Sequence, residues 1–379
     1  MDFELGQDHR VVREAVRGFV ERELKPIAIS IDQEHQIPGD LITKMSDVGF
    51  LGSFVPEEYG GAGLDVLSYV LVVEEVSRAC GSTGVFISAH SSLACDPILR
   101  FGTEAQKHEY LPDLATGHKI GCLLLTESDA GSDPSRIATT YRREGDEYII
   151  NGSKLFVTNG ADLGTGILFA TSDRTLRHRG ISAFVVDLRA PGVVVLKNEN
   201  KMGIRGTSTT AFAFDDLRLP ATGLLGEERQ GFKIAMETLN GGRIGIAAQA
   251  LGIAQGAFDR ALAYSKERRQ FEGRLCDLQA IQFKLADMYT RIETSRLATY
   301  KAAWLKDSGA DYALASALCK VCASETATFV AREAIQIHGG YGYIVDYEVE
   351  RMYRDARITE IYEGTNEVQR VVISKILIA

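Results

Sequence analysis

The chain has 379 residues, 45% of them hydrophobic and 25% charged; this is too long for one ordinary core and predicts two or three globular domains. A net charge of -9 argues against nucleic acid or an anionic membrane surface as the main partner, since either rewards a basic excess. An acidic substrate would therefore need a local cationic pocket.

The opening residues, Met1-Asp2-Phe3-Glu4, have the layout of neither a secretory signal nor a transit peptide, so the expected location is the cytoplasm, or the mitochondrial matrix for a processed chain. Residues 7–24 then place Val11, Val12, Ala15, Val16, Phe19 and Val20 on one helical stripe, and Pro26 limits its continuation. Residues 40–48 and 66–79 read as further amphipathic helices. Between them Pro56-Glu57-Glu58-Tyr59-Gly60-Gly61-Ala62-Gly63 is a loop by its proline and glycine content.

The character changes near residue 121. Short β-type runs at 122–125, 147–150, 154–157, 167–170, 182–187, 192–196 and 210–214 predict an antiparallel, barrel-like domain. Asn151-Gly152 between two of these runs predicts a type I′ hairpin turn. After Gly231, helical spacing over 232–267, 278–306, 312–338, 348–358 and 366–378 predicts an antiparallel bundle, with Gly241-Gly242 marking a kink or break in the first helix. Helices, then strands, then helices make an α+β chain with domains at 1–120, 121–225 and 226–379, and argue against alternating βα units. No apolar run approaches the roughly 18 to 20 residues of a membrane span.

The six cysteines, Cys80, Cys95, Cys122, Cys276, Cys319 and Cys322, are too scattered for a disulfide framework. Cys319-Lys320-Val321-Cys322 has redox-motif spacing but lies inside a helical stretch, where packing is the expected role. The histidines do not cluster at metal-ligand spacing, and no metal is expected. None of the glycine-rich stretches matches a P-loop or a dinucleotide-binding fingerprint, so any nucleotide cofactor binds by another scheme.

Two segments carry chemistry. In Leu125-Thr126-Glu127-Ser128-Asp129-Ala130-Gly131-Ser132-Asp133, hydroxyls and small residues at the end of a strand can present donors to a phosphate or a flat ring. In Thr359-Glu360-Ile361-Tyr362-Glu363-Gly364-Thr365-Asn366-Glu367, a glycine interrupts two helical stretches and frees a carboxylate to point into a cavity. Glu360 and Glu363 are both candidates for a base. Three residues turn a helix by about 300°, so spacing alone leaves the two on one face.

The first segment resembles the N-terminal signature of the acyl-CoA dehydrogenases. The second, with Gln336-Ile337-His338-Gly339-Gly340-Tyr341-Gly342-Tyr343, Asp346 and Arg354-Asp355, resembles the C-terminal signature. Residues 56–61, 101–104, Gln106-Lys107, Asn151-Gly152-Ser153-Lys154, Gly241-Gly242-Arg243 and 264–271 look like further family landmarks. The resemblance implies an N-terminal helical domain, a middle antiparallel β-barrel and a C-terminal four-helix bundle, with FAD as cofactor. It selects Glu363 as the base that takes the α proton of an acyl-CoA, with hydride leaving the β carbon for flavin N5. It implies flavin contacts from Leu123, Leu125, Thr126, Phe156 and Thr158, with Ser132 near the pyrophosphate and the substrate. Arg268, Phe271, Gln336 and Gly340 would reach the adenosine half of FAD in a neighbouring subunit, and Thr365 and Glu367 would lie beside the flavin. Arg243, Gln249, Thr359, Tyr362 and Gly364 are the implied substrate contacts, with Gln249 and Thr359 at the floor of a pocket for about four acyl carbons; a branched or alicyclic short acyl group is the alternative. Electron-transferring flavoprotein is the implied acceptor and a homotetramer the implied assembly. A same-fold oxidase using O₂ and a noncatalytic acyl-CoA-binding protein are the rival readings.

The chain departs from the family pattern at Leu124 and Arg136, where small residues are usual, at Ser128 in place of proline, and at Glu272-Gly273. Leu124 adds several methylenes beside the expected flavin, which predicts a locally reshaped pocket.

Overall fold

A computed structural model describes residues 4–378; the acidic Met1 to Phe3 of the sequence reading lie outside the described residues. The N-terminal part is helical, with α1 (Gln7–Phe19), α2 (Ala28–Glu34), α3 (Gly39–Asp47), α4 (Val66–Ala79), α5 (Gly81–His90), α6 (Asp96–Phe101) and α7 (Glu104–Ala115). The middle part holds β1 (Gly121–Leu124), β2 (Thr140–Glu144), β3 (Glu147–Thr158), β4 (Thr165–Thr171), β5 (Ile181–Asp187), β6 (Val193–Asn198), β7 (Thr209–Pro220) and β8 (Leu224–Leu225). The C-terminal part is α8 (Gly231–Glu267), a small hairpin of β9 (Arg269–Gln270) and β10 (Gly273–Arg274), then α9 (Gln279–Asp307), α10 (Ala313–His338), α11 (Val349–Ile358) and α12 (Asn366–Ile378).

Strands β1 to β8 form one sheet in the order β6-β7-β3-β2-β4-β5-β8, with β1 pairing β4 off that path. Its pairings are mostly antiparallel, and two parallel pairings, β1 with β4 and Thr140 of β2 with Thr171 of β4, were not expected from the sequence. Both faces of β4 are buried: Ile167 and Phe169 pack towards α7 and α8 with Leu111, Leu114 and Ile234, while Leu168 and Ala170 pack towards Tyr148, Phe184 and Phe212. That is why this strand reads as a continuous apolar run without alternation. A larger core joins α1, α4, α8, α9, α10 and α11 through Val16, Val73, Leu251, Ile292, Val330 and Val349.

Two local expectations fail. Asn151-Gly152 is not a hairpin turn: β3 runs through it, and the turn lies at Gly145-Asp146, between the paired Glu144 and Glu147. A register shift falls at Gly152, whose bare Cα lets the strand press on Thr139, and the Asn151 side chain bonds Asp216 on β7. Gly241-Gly242 does not break α8, which is continuous over 37 residues; the reason for the glycines lies in the site below. Ala313–Tyr343 is one segment long and apolar enough to cross a membrane by length and composition, but half of its most apolar window is buried in the protein, as suits a bundle helix. Within it Cys319 is buried and Cys322 exposed, and both thiols are free.

Candidate active site

Between α11 and α12 the chain reverses through two consecutive left-handed residues, Glu363 at φ 52° and Gly364 at φ 90°. The non-glycine member is costly there, and the turn is held from outside. Gln369 Nε2 donates to the carbonyls of Glu363 (3.2 Å) and Gly364 (2.9 Å), and Asn366 N donates to Glu360 O (3.0 Å). The reversal sends the Glu363 side chain into the bundle against α8, where a Cβ on Gly242 would overlap Oε2. Oε2 is sealed from solvent and has no hydrogen-bond partner. Burial pushes this carboxyl up to about 8, against the opposing pull of Arg243 and Lys320.

Glu360 is placed differently. Its carboxylate accepts from Thr328 Oγ1 (2.5 Å) and pairs with Arg357 (2.6 Å), so it is already engaged, unlike Glu363 Oε2 against Gly242. The turn breaks the helical phase that made the two glutamates equivalent in sequence.

Arg243 is buried one residue further along α8, with Nη1 bonded to Asn240 Oδ1 (2.6 Å) and Nε without a partner. The Tyr362 hydroxyl donates to Gln249 Oε1, and Gln249 Nε2 donates to Gly81 O (2.9 Å). Beside them Val85, Ile204 and Ile246 form a buried apolar cluster that also packs on Tyr362 and Ile358. Thr359 is fully buried, but its hydroxyl closes on Ala356 O (2.7 Å) in the last turn of α11.

Strand alternation settles the first loop. Leu123 and Leu125 pack towards α7 and α8, while Leu124 enters the opposite core with Tyr148 and Phe184, where Gly166 on β4 leaves room for it. The reshaped pocket expected from Leu124 is therefore corrected: its bulk lies on the other face of the sheet. Leu155 N donates to Thr126 O (2.8 Å), which brings the Thr126 backbone to β3 one residue before Phe156. Phe156 sits at a register shift with φ 57° and is 63% exposed, so it is not the core residue that alternation alone suggests. Ser132, Ser128 and Arg136 are on the surface.

Sequence reasoning gave Lys154 a place in a landmark but no role. Its buried ammonium bonds Glu127 Oε1 (2.6 Å) and Leu125 O (3.1 Å), while Glu127 accepts from the amides of Ala138 and Thr139. Burial pulls the Lys154 ammonium down to about 8. This pair fixes the 125–127 backbone; the available signal was a lysine at a position whose strand neighbours are apolar.

Arg268, Phe271, Gln336 and Gly340 lie at the far end of α8 and α10. Arg268 and Gly340 line a cavity of about 540 Å³ with Tyr264, Gln270, His338 and Tyr341. Phe271 is 88% exposed on the β9–β10 hairpin, Gln336 is exposed, and space beside Gly340 is open. None of the four is among the groups around Glu363. Thr365 Oγ1 accepts from Val368 N (3.3 Å) at the start of α12, and Glu367 is exposed in its first turn. The exposed Phe156, with the half-buried Thr126 and Thr158 in the same part of the sheet, offers an apolar face and hydroxyl donors to a flat heteroaromatic ring such as that of FAD, and the open aromatics at the distant cavity offer a second, separate place for such a ring.

Family models for the acyl-CoA dehydrogenase N-terminal, middle and C-terminal domains match residues 6–118, 122–217 and 229–378. The chain is 51% identical over 374 residues to a short-chain specific acyl-CoA dehydrogenase of Clostridium acetobutylicum, covering 99% of each. Butyryl-CoA dehydrogenase of Megasphaera elsdenii superposes with a TM-score of 0.98 at 44% identity, covering 100% of both chains. A chain in the structure of the electron transferring flavoprotein of Acidaminococcus fermentans has a TM-score of 0.98 at 49% identity, covering 100% of this chain and 99% of that one. A glutaryl-CoA dehydrogenase of Mycobacterium smegmatis in complex with FADH2 has a TM-score of 0.93 at 33% identity, covering 98% of this chain and 95% of that one.

Proposed function

The chain belongs to the acyl-CoA dehydrogenase family and is a FAD-dependent oxidoreductase acting on a CH–CH bond of an acyl-CoA; from that premise we propose that it converts a short-chain acyl-CoA to the 2-enoyl-CoA with Glu363 as the general base. One observation carries the base: Oε2 of the half-buried Glu363 is sealed from solvent, unpartnered and aimed at α8, where Gly242 leaves the room for it. FAD, when bound, supplies the acceptor for the β hydrogen with its electron pair. Glu363 takes the α proton, and a carboxyl with its proton affinity raised towards neutrality is matched to that task. Arg243, buried and charged at the same helix turn, draws the carboxyl towards its ionised form, and substrate burial excludes water from both. The amide of Glu363 is the proposed donor to the thioester oxygen.

Leu123, Leu125, Thr126, Phe156 and Thr158 would hold the flavin ring, Ser132 the pyrophosphate, and Thr365 and Glu367 the open side. Arg268, Phe271, Gln336 and Gly340 would take the adenosine of a neighbouring subunit's FAD in a tetramer. The short acyl group is supported by the Tyr362–Gln249 hydrogen bond, which closes the space between α8 and the turn, and by the relatives named above. Thr359 supports it through bulk, its hydroxyl being spent on the backbone. Electron-transferring flavoprotein is the proposed acceptor and the cytoplasm the proposed location.

The deciding experiment is anaerobic bleaching of the bound flavin by straight, branched and cyclic acyl-CoAs. Fastest bleaching by a four-carbon acyl group supports the reading; preference for chains of eight carbons or more overturns it. Peroxide formation in air that outpaces flavoprotein reduction would identify an oxidase, and colourless protein that cannot be reconstituted would identify a binding protein.

A further inference from the structure

We propose that Lys320 is a positioning residue for Glu363: through Asn366 it fixes the start of α12 and hence the turn that carries the base, and its charge keeps that base available. The inference rests on Glu363 being the base. Lys320 is fully buried on α10, where an ammonium is expensive unless something requires it. Its acceptor is the neutral Asn366 Oδ1 at 2.9 Å. Asn366 Nδ2 donates to Ser324 Oγ (3.0 Å), and Ser324 Oγ donates to Lys320 O (2.7 Å), so the ring closes on one turn of α10. Asn366 opens α12 three residues after Glu363, and its amide closes the same turn on Glu360 O. A methionine would fill the space on α10 and avoid the cost of burying charge. The cation is therefore explained by what it faces.

The charged and titratable groups around Glu363 come from each packed element. Arg243 on α8 and Lys320 on α10 are the two cations acting on it. On α4, the Tyr69 hydroxyl is bonded to Ser88; on the turn itself, Tyr362 is bonded to Gln249. Glu360 and Glu367 face Lys320 as well, the first held by Arg357 and the second exposed to solvent. Arg243 stays charged throughout. Burial pulls Lys320 down to about 8, so its charge is the one that titrates in the range where Glu363 does. Losing it leaves the carboxyl more strongly protonated.

The test compares pH profiles of kcat/KM for the holoenzyme and the Lys320→Met, Asn366→Ala and Glu363→Gln variants, with FAD content per chain as a second readout. Lys320→Met is expected to move the acid limb of the profile upward by about one pH unit, near tenfold lower kcat/KM at pH 7. Asn366→Ala keeps the lysine while removing its acceptor; it is expected to lower kcat at least fivefold with full FAD, about 1 kcal/mol of positioning by conversion. A Lys320→Met profile that superimposes on the parent's, or an Asn366→Ala kcat within twofold of it, overturns the inference. If Lys320→Met does not fold, the Asn366→Ala result decides. Normal turnover by Glu363→Gln would instead overturn the reading of the base.

Discussion

Gly242 and Glu363, 121 positions apart in the chain, share one space: the carboxylate Oε2 occupies the place where a Cβ on Gly242 would be. Leu93 closes the same spot from another side, so the carboxylate has no easy retreat. Gly242→Ala should therefore displace the Glu363 carboxylate more than it harms α8, since alanine is the better helix former. The expected result is a kcat at least tenfold lower, with FAD content and melting temperature near the parent's. Unchanged kcat would mean that the carboxylate works from another position.

The pH dependence follows from the raised proton affinity of Glu363. In the folded chain its carboxyl is pushed from 4.5 up to about 8, so the stability it contributes is full below pH 4.5 and lost as pH rises through 8. Glu363→Gln removes that loss. The melting temperature of Glu363→Gln relative to the parent should rise between pH 6 and pH 9, by several degrees on the scale of roughly 2 to 4 °C per kcal/mol, while most dehydrogenation is lost. A difference that does not change with pH would place the carboxyl in a wetter site.

Lys154 and Glu127 are buried together beneath the 125–127 loop. Lys154→Met strands the Glu127 carboxylate, and breaking such a pair costs about 3 to 5 kcal/mol. Weaker FAD retention on gel filtration is expected, before global unfolding, because the loop beside Thr126 is released first. Full FAD retention would show that the pair supports the sheet alone.

The Tyr362 hydroxyl donates to Gln249 Oε1, tying α8 to the turn at Glu363. Tyr362→Phe leaves Gln249 Oε1 without that donor, a loss of roughly 1 to 3 kcal/mol for a buried acceptor. Gln249→Ala goes further and opens volume. It should raise kcat/KM for six- and eight-carbon acyl-CoAs relative to the four-carbon substrate; an unaltered ratio would move the limit on chain length elsewhere.

The order of helices, strands and helices was legible because helix and strand periods are local properties of the chain. Glycine was legible only as a break. At Gly241-Gly242 the sequence suggests a kink or break, yet the helix is continuous through them, because a missing Cβ serves close approach as readily as breaking. Asn151-Gly152 misled in the same way: its turn propensity is overridden by pairing of β3 with β7 on both sides of the bulge. Leu124 looked like an intrusion until the pleat put it opposite Gly166.

By itself the sequence determined the family resemblance, the three-part order and two segments with reactive side chains, since these depend on residue type and local spacing. Residue spacing left Glu363 and Glu360 equivalent and only the resemblance chose between them; the tertiary structure supplies the physical difference, a left-handed turn that sends one carboxylate towards Gly242 and leaves the other with Thr328 and Arg357. Burial, and with it the proton affinity of Glu363 and the charge of Lys320, belongs to neighbours brought in from α8 and α10. No local pattern records those neighbours, because desolvation is a property of the packed interior and not of the chain.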